Sequence, residues 1–353
     1  MFSNTISALG APQLVAVSSE LANGSYWLGE VSGQQPEVTA RGKPVGAWGK
    51  RVDEVEAPFA PQYDREEYQN PGLQMLNLAE LQMLATAFGV TPPWMCRPSG
   101  MELAGKTMLE VGCGTGRIAL FGAGFGAEVT AVDQTEGYVL AAADKVARLP
   151  IGTPKPRLVV APAEALTGEN EADIVTAMFG VLNHCEDWTA IIKNLDGMLR
   201  AEGTFVLSMY GSPEAAVYAE LQQGLPYAPA ILTRRAPGGL LLGEDADDVL
   251  PARFPYPETV VETLEESGLA VESIQPFLSV TSLYPRQPTA ENVAAFLRVV
   301  ERRYGSTIGE YVGAYAGDPV RMLLASLCAD YMIPPGRLNE AAYFGVVATK
   351  GGA

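Results

Sequence analysis

The segment from Met108 to Leu120, Met-Leu-Glu-Val-Gly-Cys-Gly-Thr-Gly-Arg-Ile-Ala-Leu, constrains this chain more than any other. An apolar strand runs into glycines at alternate positions, Gly112, Gly114 and Gly116, and then into a helical stretch. Alternate glycines let the backbone bend sharply and approach a ligand with no Cβ in the way, and the helix that follows presents unpaired N–H groups to polar ligand atoms. A strand–turn–helix of this kind belongs to an α/β fold and reads as a nucleotide-cofactor turn. Its G-x-G-x-G spacing, with Glu110 just ahead, differs from the dinucleotide fingerprint G-x-G-x-x-G, whose last glycine lies one residue later and serves a pyrophosphate. An acid beside the loop suits a ligand end that is cationic and carries no phosphate.

Downstream of Lys106, short apolar runs alternate with helical stretches, which predicts βαβ units and a mainly parallel sheet. The expected strands are Thr107 to Val111, Glu128 to Val132, Arg157 to Val160, Asp173 to Met178, Thr204 to Met209, Ala270 to Pro276 and Tyr343 to Thr349. Residues 1–60 are rich in Gly, Ser and Pro and read as an N-terminal arm or small cap, with candidate strands at Ser25 to Leu28 and Val45 to Trp48. Residues 61–353 read as the main domain. Within it, Leu73, Leu76, Leu78, Leu81 and Leu84 space an amphipathic helix over Pro71 to Gly89. Two stretches exceed what the sheet needs. One, at 212–256, has a turn at Gly238-Gly239 between Ile231-Leu232 and Leu240 to Leu242, which predicts a hairpin. The other, at 283–341, is helical by period, with Phe296, Val299, Val300, Tyr304, Met322, Leu323 and Leu327 as its apolar positions.

Four pieces follow one another in the core. Glu110 to Gly116 is an acid-x-Gly-x-Gly-x-Gly loop. Val129 to Asp133 is an apolar strand closed by an acid, and Asp133 with Gln134 beside it can accept from ribose hydroxyls, although an acid there also serves as a helix N-cap. Val159 to Leu166 is a strand followed by Ala161-Pro162-Ala163-Glu164. Asp173 to His184 is a strand running into Met178-Phe179-Gly180. Together they resemble the core of the Rossmann-like (class I) S-adenosylmethionine-dependent methyltransferases, over about a third of the chain. The resemblance implies a Rossmann-like, seven-stranded mixed sheet flanked by helices, with the N-terminal arm and two lid-like insertions added.

It also implies roles. The loop glycines cradle the methionine part of the cofactor, Ala163 and Glu164 lie at the adenine, and Phe179 and Gly180 lie beside the adenine and the methyl group. Pro162 departs from the pattern, because it stands where relatives carry the acid that accepts from the adenine amino group; the backbone N–H of Ala163 remains as a donor to the ring. Glu164 equally suits the first turn of a helix, where acids are favoured. Tyr63, ahead of the amphipathic helix with Tyr68, corresponds to a tyrosine that folds over the cofactor in similar enzymes, or else is an aromatic on an arm. His184 is the only histidine and a candidate general base, since imidazole titrates near neutrality; in relatives the matching residue also serves structure. Tyr210, at the end of its strand, is a candidate substrate contact or a buried tyrosine with a satisfied hydroxyl. Phe254, Tyr256, Phe277, Tyr284, Tyr304, Tyr311, Tyr315 and Tyr331 lie in or beside the excess stretches as core or pocket residues. Glu244, Asp245, Asp247 and Asp248 read as a solvated acidic loop.

Composition limits the partners. With 24 basic against 41 acidic side chains, a net charge of −17 repels polyanions, so no nucleic acid is expected. No apolar run is long enough to span a bilayer, and the first 40 residues lack Lys and Arg, so neither a membrane nor a signal peptide is expected. Four scattered cysteines indicate a reduced, cytoplasmic setting, and one histidine leaves no His-rich metal site. The expectation is an enzyme that moves a methyl group from S-adenosylmethionine to the O, N or C atom of a small-molecule acceptor, with a homodimer left open. The alternatives are a catalytically silent cofactor-binding or interaction protein, a protein methyltransferase, and an NAD-dependent oxidoreductase.

Overall fold

A computed structural model of the chain describes residues 38–40, 46–66, 71–91, 101–169, 171–211, 233–236, 239–242, 251–277, 280, 283, 289–330, 332–333 and 343–352. A short strand, β1 (Val38–Ala40), is followed by helices α1 (Gly46–Glu56), α2 (Tyr63–Glu66) and α3 (Pro71–Ala87). Then come β2 (Thr107–Val111), α4 (Arg117–Gly124), β3 (Glu128–Asp133), α5 (Glu136–Val146), β4 (Arg157–Val160), β5 (Ala172–Ala177), α6 (Trp188–Met198) and β6 (Leu199–Tyr210). The later elements are β7 (Thr233–Ala236), β8 (Gly239–Leu242), β9 (Ala252–Pro255), α7 (Pro257–Glu266), β10 (Leu269–Phe277), α8 (Ala290–Tyr304), α9 (Ser306–Gly313), α10 (Pro319–Asp330) and β11 (Tyr343–Lys350).

Eight strands form one sheet in the order β1-β4-β3-β2-β5-β6-β11-β10. Every neighbouring pair from β1 to β6 is parallel. The strands β2, β3 and β4 step outward one way, and the chain then returns to place β5 on the other side of β2. That reversal opens a crevice at the carboxyl ends of β2 and β5, where ligands of open α/β sheets bind. Parallel strands need both faces covered, and the β2 side chains are accordingly buried from Met108 to Val111. Helix α4 reaches the sheet closely because Gly122 has no side chain: a Cβ there would lie 2.6 Å from Met108 Sδ. Phe121 on the same helix is fully buried, with its ring centroid 4.9 Å from that of Phe125 and 6.4 Å from that of Phe88.

The chain divides into two compact units, one made of 1–208, 263–273 and 346–353, the other of 209–262 and 274–345. The second unit holds an antiparallel sheet in the order β7-β8-β9. It also holds a helical core in which Phe296, Val300, Tyr304, Ile308, Val312 and Met322 pack together. Tyr210 belongs to this unit, where its ring meets Tyr343 edge-on at 4.7 Å and lies 6.5 Å from Phe254.

The structure corrects four expectations. Of the expected strand Val45 to Trp48, the described part from Gly46 is helical, and the spacing of Trp48 and Val52 by one turn puts them on one face, Val52 buried and Trp48 half-buried. The sheet has eight strands rather than seven, because β1 pairs with β4 through Val38–Leu158, Thr39–Val159 and Ala40–Val160. Strand β6 begins at Leu199, not Thr204, and takes up the extra residues in a bulge opposite Ala172 to Ile174. The left-handed residue of that bulge is Glu202 (φ 61°), whereas Gly203 is required for space, since a Cβ there would lie 2.8 Å from the Arg200 carbonyl oxygen. The hairpin pairs Thr233–Ala236 with Gly239–Leu242, two residues later than expected on its first arm, and β9 is a third strand that periodicity did not reveal. The candidate strand Ser25 to Leu28, the tyrosines Tyr68, Tyr284 and Tyr331, and the acidic run Glu244 to Asp248 lie outside the described residues.

Removing the fully buried Phe121 ring leaves a cavity beside the Phe88 and Phe125 rings. Phe121→Ala is therefore expected to cost about 3–5 kcal/mol, read as a lower urea midpoint with an unchanged slope.

Candidate functional site

The glycine loop sits at the mouth of the crevice with all of its glycines in the left-handed region: Gly112 at φ 69°, Gly114 at 51° and Gly116 at 87°. Their surroundings differ. A Cβ on Gly112 would lie 2.0 Å from Val181 Cγ2, and one on Gly116 would lie 3.0 Å from Ala142 Cβ, so these glycines let the loop touch the next turn and α5. A Cβ on Gly114 would meet nothing within 4 Å. Gly114 is thus the member of the three whose missing side chain leaves room for something other than the protein.

Asp133 closes β3 and turns back onto this loop. Its Oδ2 accepts from the Gly114 N–H at 2.8 Å and its Oδ1 from the Thr135 N–H at 2.9 Å. These bonds fix the carboxylate plane, and each oxygen keeps a lone pair for a further donor such as a ribose hydroxyl. Desolvation raises the Asp133 pKa to about 6 against the pull of those N–H bonds, and the nearby acids Glu56 and Asp53 push the same way. Gln134 beside it is half-buried.

Glu110 is buried at the end of β2, and its Oε2 has no hydrogen-bond partner among the described residues. Burial raises its pKa to about 8; the Arg117 guanidinium and the Ala119 N–H hold it down, and Asp133 pushes it up. Cys113 is buried between these acids, and its thiol is raised further still by burial and then by Asp133 and Glu110. The acids Glu110, Asp133, Glu56 and Asp53 thus gather around the loop.

The facing side of the site is the turn after β5. Phe179 is left-handed at φ 60°, and Gly180 follows at 72°. For an aromatic residue this conformation costs about 1–3 kcal/mol and persists only where the surroundings impose it. Here Ser208 Oγ, at 2.7 Å, and Glu80 Oε1, at 3.1 Å, both accept from the Phe179 N–H, and the Ser208 carbonyl accepts from the Gly180 N–H at 3.1 Å. Glu80 is wholly buried on α3; its Oε1 also accepts from Ser208 Oγ at 2.5 Å, and its Oε2 pairs with the buried Arg117 at 2.5 Å. The Arg117 guanidinium lies 5.7 Å from the Phe179 ring centroid.

The N-terminal helices close on the same loop. Thr115 Oγ1 donates to Asp64 Oδ1 at 2.6 Å, and the buried Lys145 pairs with Asp64 at 2.6 Å while donating to Thr115 at 3.0 Å. Tyr63 meets Tyr138 edge-on at 5.1 Å, and Tyr138 donates through its hydroxyl to Glu56. Trp48 Nε1 donates to the His184 carbonyl at 2.7 Å. His184 ends the short helical turn Val181–His184 with its side chain half-buried. Ala163 and Glu164 form another short turn that begins after Pro162, which is extended at φ −70° and ψ 150°. Burial pushes up the thiol of Cys185, and the Glu164 and Asp133 charges add to that.

The first unit therefore brings together Tyr63, Glu110, the three glycines, Asp133, Glu164, Phe179, Gly180 and His184. Tyr210 is not joined to them by any of these contacts. Sequence reading missed Glu80, Arg117, Ser208, Asp64, Lys145 and Thr115. For Glu80 a signal existed: it lies one turn from both Leu76 and Leu84, which are fully buried, so an acid stood in the middle of an apolar stripe and called for a buried cation.

S-adenosylmethionine fits these residues. The α-ammonium and sulfonium of the cofactor suit the unpartnered Glu110 oxygen and its acidic surroundings, a ribose suits Asp133, and the open space at Gly114 accepts close backbone approach. Among the described residues no group of three or more His, Cys, Asp or Glu could hold a metal ion.

Residues 109–207 match the model of a family described as a methyltransferase domain. The chain is 32% identical over 182 residues to a ubiquinone biosynthesis O-methyltransferase of Xanthomonas euvesicatoria pv. vesicatoria (strain 85-10), a match covering 50% of this chain and 68% of that protein. It is 36% identical over 139 residues to the protein of the same name from Xanthomonas oryzae pv. oryzae (strain PXO99A), covering 38% of this chain and 55% of that one. Among solved structures, the crystal structure of the [4+2]-cyclase SpnF aligns over 89% of this chain and all of its own length at a TM-score of 0.51, with 20% identity. That likeness concerns the fold. With the loop, the acid after it and the matched domain in the same order, the chain belongs to the Rossmann-like (class I) S-adenosylmethionine-dependent methyltransferase family.

Proposed function

We propose that this enzyme methylates a small-molecule acceptor in a reduced, cytoplasmic setting. The observation that carries the site reading is the joint geometry of Gly114, Asp133 and Glu110: an open glycine, a fixed carboxylate plane and an unpartnered buried carboxylate oxygen around one crevice mouth. Support for a small acceptor comes from the net charge of −17, which disfavours polyanions, and from relatives named for ubiquinone biosynthesis. The insertions at 212–256 and 283–341 are read as the part that selects the acceptor. The free thiols of Cys113, Cys185 and Cys328 support the reducing compartment, and among the described residues no helix is long and apolar enough to cross a membrane.

Bound S-adenosylmethionine supplies an activated methyl group on a cationic sulfur. The chain's own residues then have to align and dry the site, and holding two reactants in attack geometry is worth several kcal/mol. Glu110 offsets positive charge, Asp133 holds the sugar, and the Phe179-Gly180 turn shapes the wall beside the methyl group. A base is needed only where the acceptor atom is protonated at working pH, and His184 is the candidate in reach of that turn. Pro162 supports a second reading, a chain that binds the cofactor without transferring methyl, because it removes an acid expected at the adenine. Formation of S-adenosylhomocysteine with a fractionated small-metabolite pool decides for transfer; its absence across all fractions, with cofactor bound, decides for the second reading.

The glycines should separate by role. Gly114→Ala is expected to weaken S-adenosylhomocysteine binding at least tenfold in calorimetry while the protein stays folded. Gly112→Ala, whose Cβ would enter Val181, is expected to lower the melting temperature by several degrees.

Binding should also depend on pH. With pKa values raised to about 8 at Glu110 and about 6 at Asp133, both groups favour the fold when protonated, a contribution present below their unfolded values of 4.5 and 3.8 and lost as pH rises through 8 and 6. The ligand's α-ammonium favours ionised Glu110 and its ribose hydroxyls favour ionised Asp133, so binding releases protons. Affinity for S-adenosylhomocysteine is expected to rise from pH 6 to 8 by up to about tenfold per unit. Glu110→Gln should flatten the upper part of that rise, and an unchanged profile would remove Glu110 from the site.

A further inference from the structure

We propose that Glu80, Arg117 and Ser208 are positioning residues of the cofactor site, which hold the Phe179-Gly180 turn in its left-handed conformation and lock that turn to the glycine loop. The inference rests on the reading that this turn lines the cofactor.

Consecutive left-handed residues, the first an aromatic, are both tied to Ser208: its Oγ takes the Phe179 N–H and its carbonyl the Gly180 N–H. Glu80 Oε1 adds a second acceptor for the Phe179 N–H and also takes the Ser208 hydroxyl, which sets the direction in which that hydroxyl points. The other Glu80 oxygen is held by Arg117, the residue that directly follows Gly116 of the loop. One buried carboxylate on α3 therefore joins the end of the glycine loop to the turn across the crevice. The consequence of the turn's conformation is visible at Val181, which is delivered against Gly112 so closely that a Cβ would lie 2.0 Å from Cγ2. If Phe179 relaxed to an ordinary backbone angle, Val181 would leave Gly112, and the two walls of the site would lose their spacing.

A purely structural ion pair would stabilise the fold without regard to the backbone angle at Phe179. A positioning cluster acts through that angle, so glycine at 179, which adopts it without strain, should make the cluster dispensable. The test measures S-adenosylhomocysteine affinity by calorimetry on the full chain, with melting temperatures alongside, for Ser208→Ala and for the double variant Glu80→Leu/Arg117→Met. The double variant removes both charges together, so that no unpaired ion is left buried. Each is made in the wild-type background and in Phe179→Gly. The expected result is a loss of affinity of tenfold or more in the wild-type background, shrinking to less than threefold in Phe179→Gly, with the variants folded at the assay temperature. Equal losses in both backgrounds, or no loss in either, would overturn the proposal. Failure of the wild-type chain to bind S-adenosylhomocysteine would overturn the cofactor site itself, and the proposal with it. Should the double variant fail to fold, Ser208→Ala, which deletes one oxygen without a charge, decides on the same criterion.

Discussion

The bond from the Gly114 N–H to the Asp133 carboxylate is the interaction on which the site depends. It joins the loop after β2 to the end of β3 and so converts two neighbouring strand ends into a single cradle. It also places an acid where burial disfavours its charge, and the acids Glu56 and Asp53 of α1 add to that cost. A ligand that brings hydrogen-bond donors or positive charge to this cradle would favour the ionised carboxylates. The parallel order of the sheet makes this possible, because the reversal at β2 leaves the loop facing an open crevice rather than a neighbouring crossover.

The two walls of the crevice are held by different means. On one side the glycine loop follows from local chemistry: left-handed angles at Gly112, Gly114 and Gly116 that only glycine adopts at little cost. On the other, Phe179 is driven into the same region by tertiary contacts from α3 and β6. Strain of this kind gathers at functional sites, where surrounding structure over-determines the backbone. The N-terminal helices then brace both walls, with Asp64, itself paired with Lys145 of α5, at Thr115 and Trp48 at the His184 carbonyl.

Much of the sheet was legible because parallel buried strands are short, apolar and bounded by turns; Thr107–Val111 and Arg157–Val160 begin and end where periodicity places them. The glycine loop and Asp133 were legible for the same reason, since their spacing is itself the local geometry. What escaped was long-range. Nothing near Glu80 in sequence announces Arg117 or Ser208, because a buried pair is formed by elements 37 and 128 residues apart. Val45 to Trp48 misled because its small and apolar residues suit a strand, whereas packing Trp48 and Val52 on one face selects a helix. Glu202 shows the opposite limit, a left-handed residue beside a glycine that needs its small size and not its freedom.

Whether the glycine loop, the end of β3 and the turn after β5 form one S-adenosylmethionine cradle can be read from backbone amide spectra of the isotopically labelled chain titrated with S-adenosylhomocysteine. The largest shifts are expected to fall together, with one saturation curve, on Gly114, Thr135, Phe179 and Gly180, whose N–H groups carry the bonds described above. Saturating shifts confined to other parts of the chain, or none at all, would contradict a single cradle.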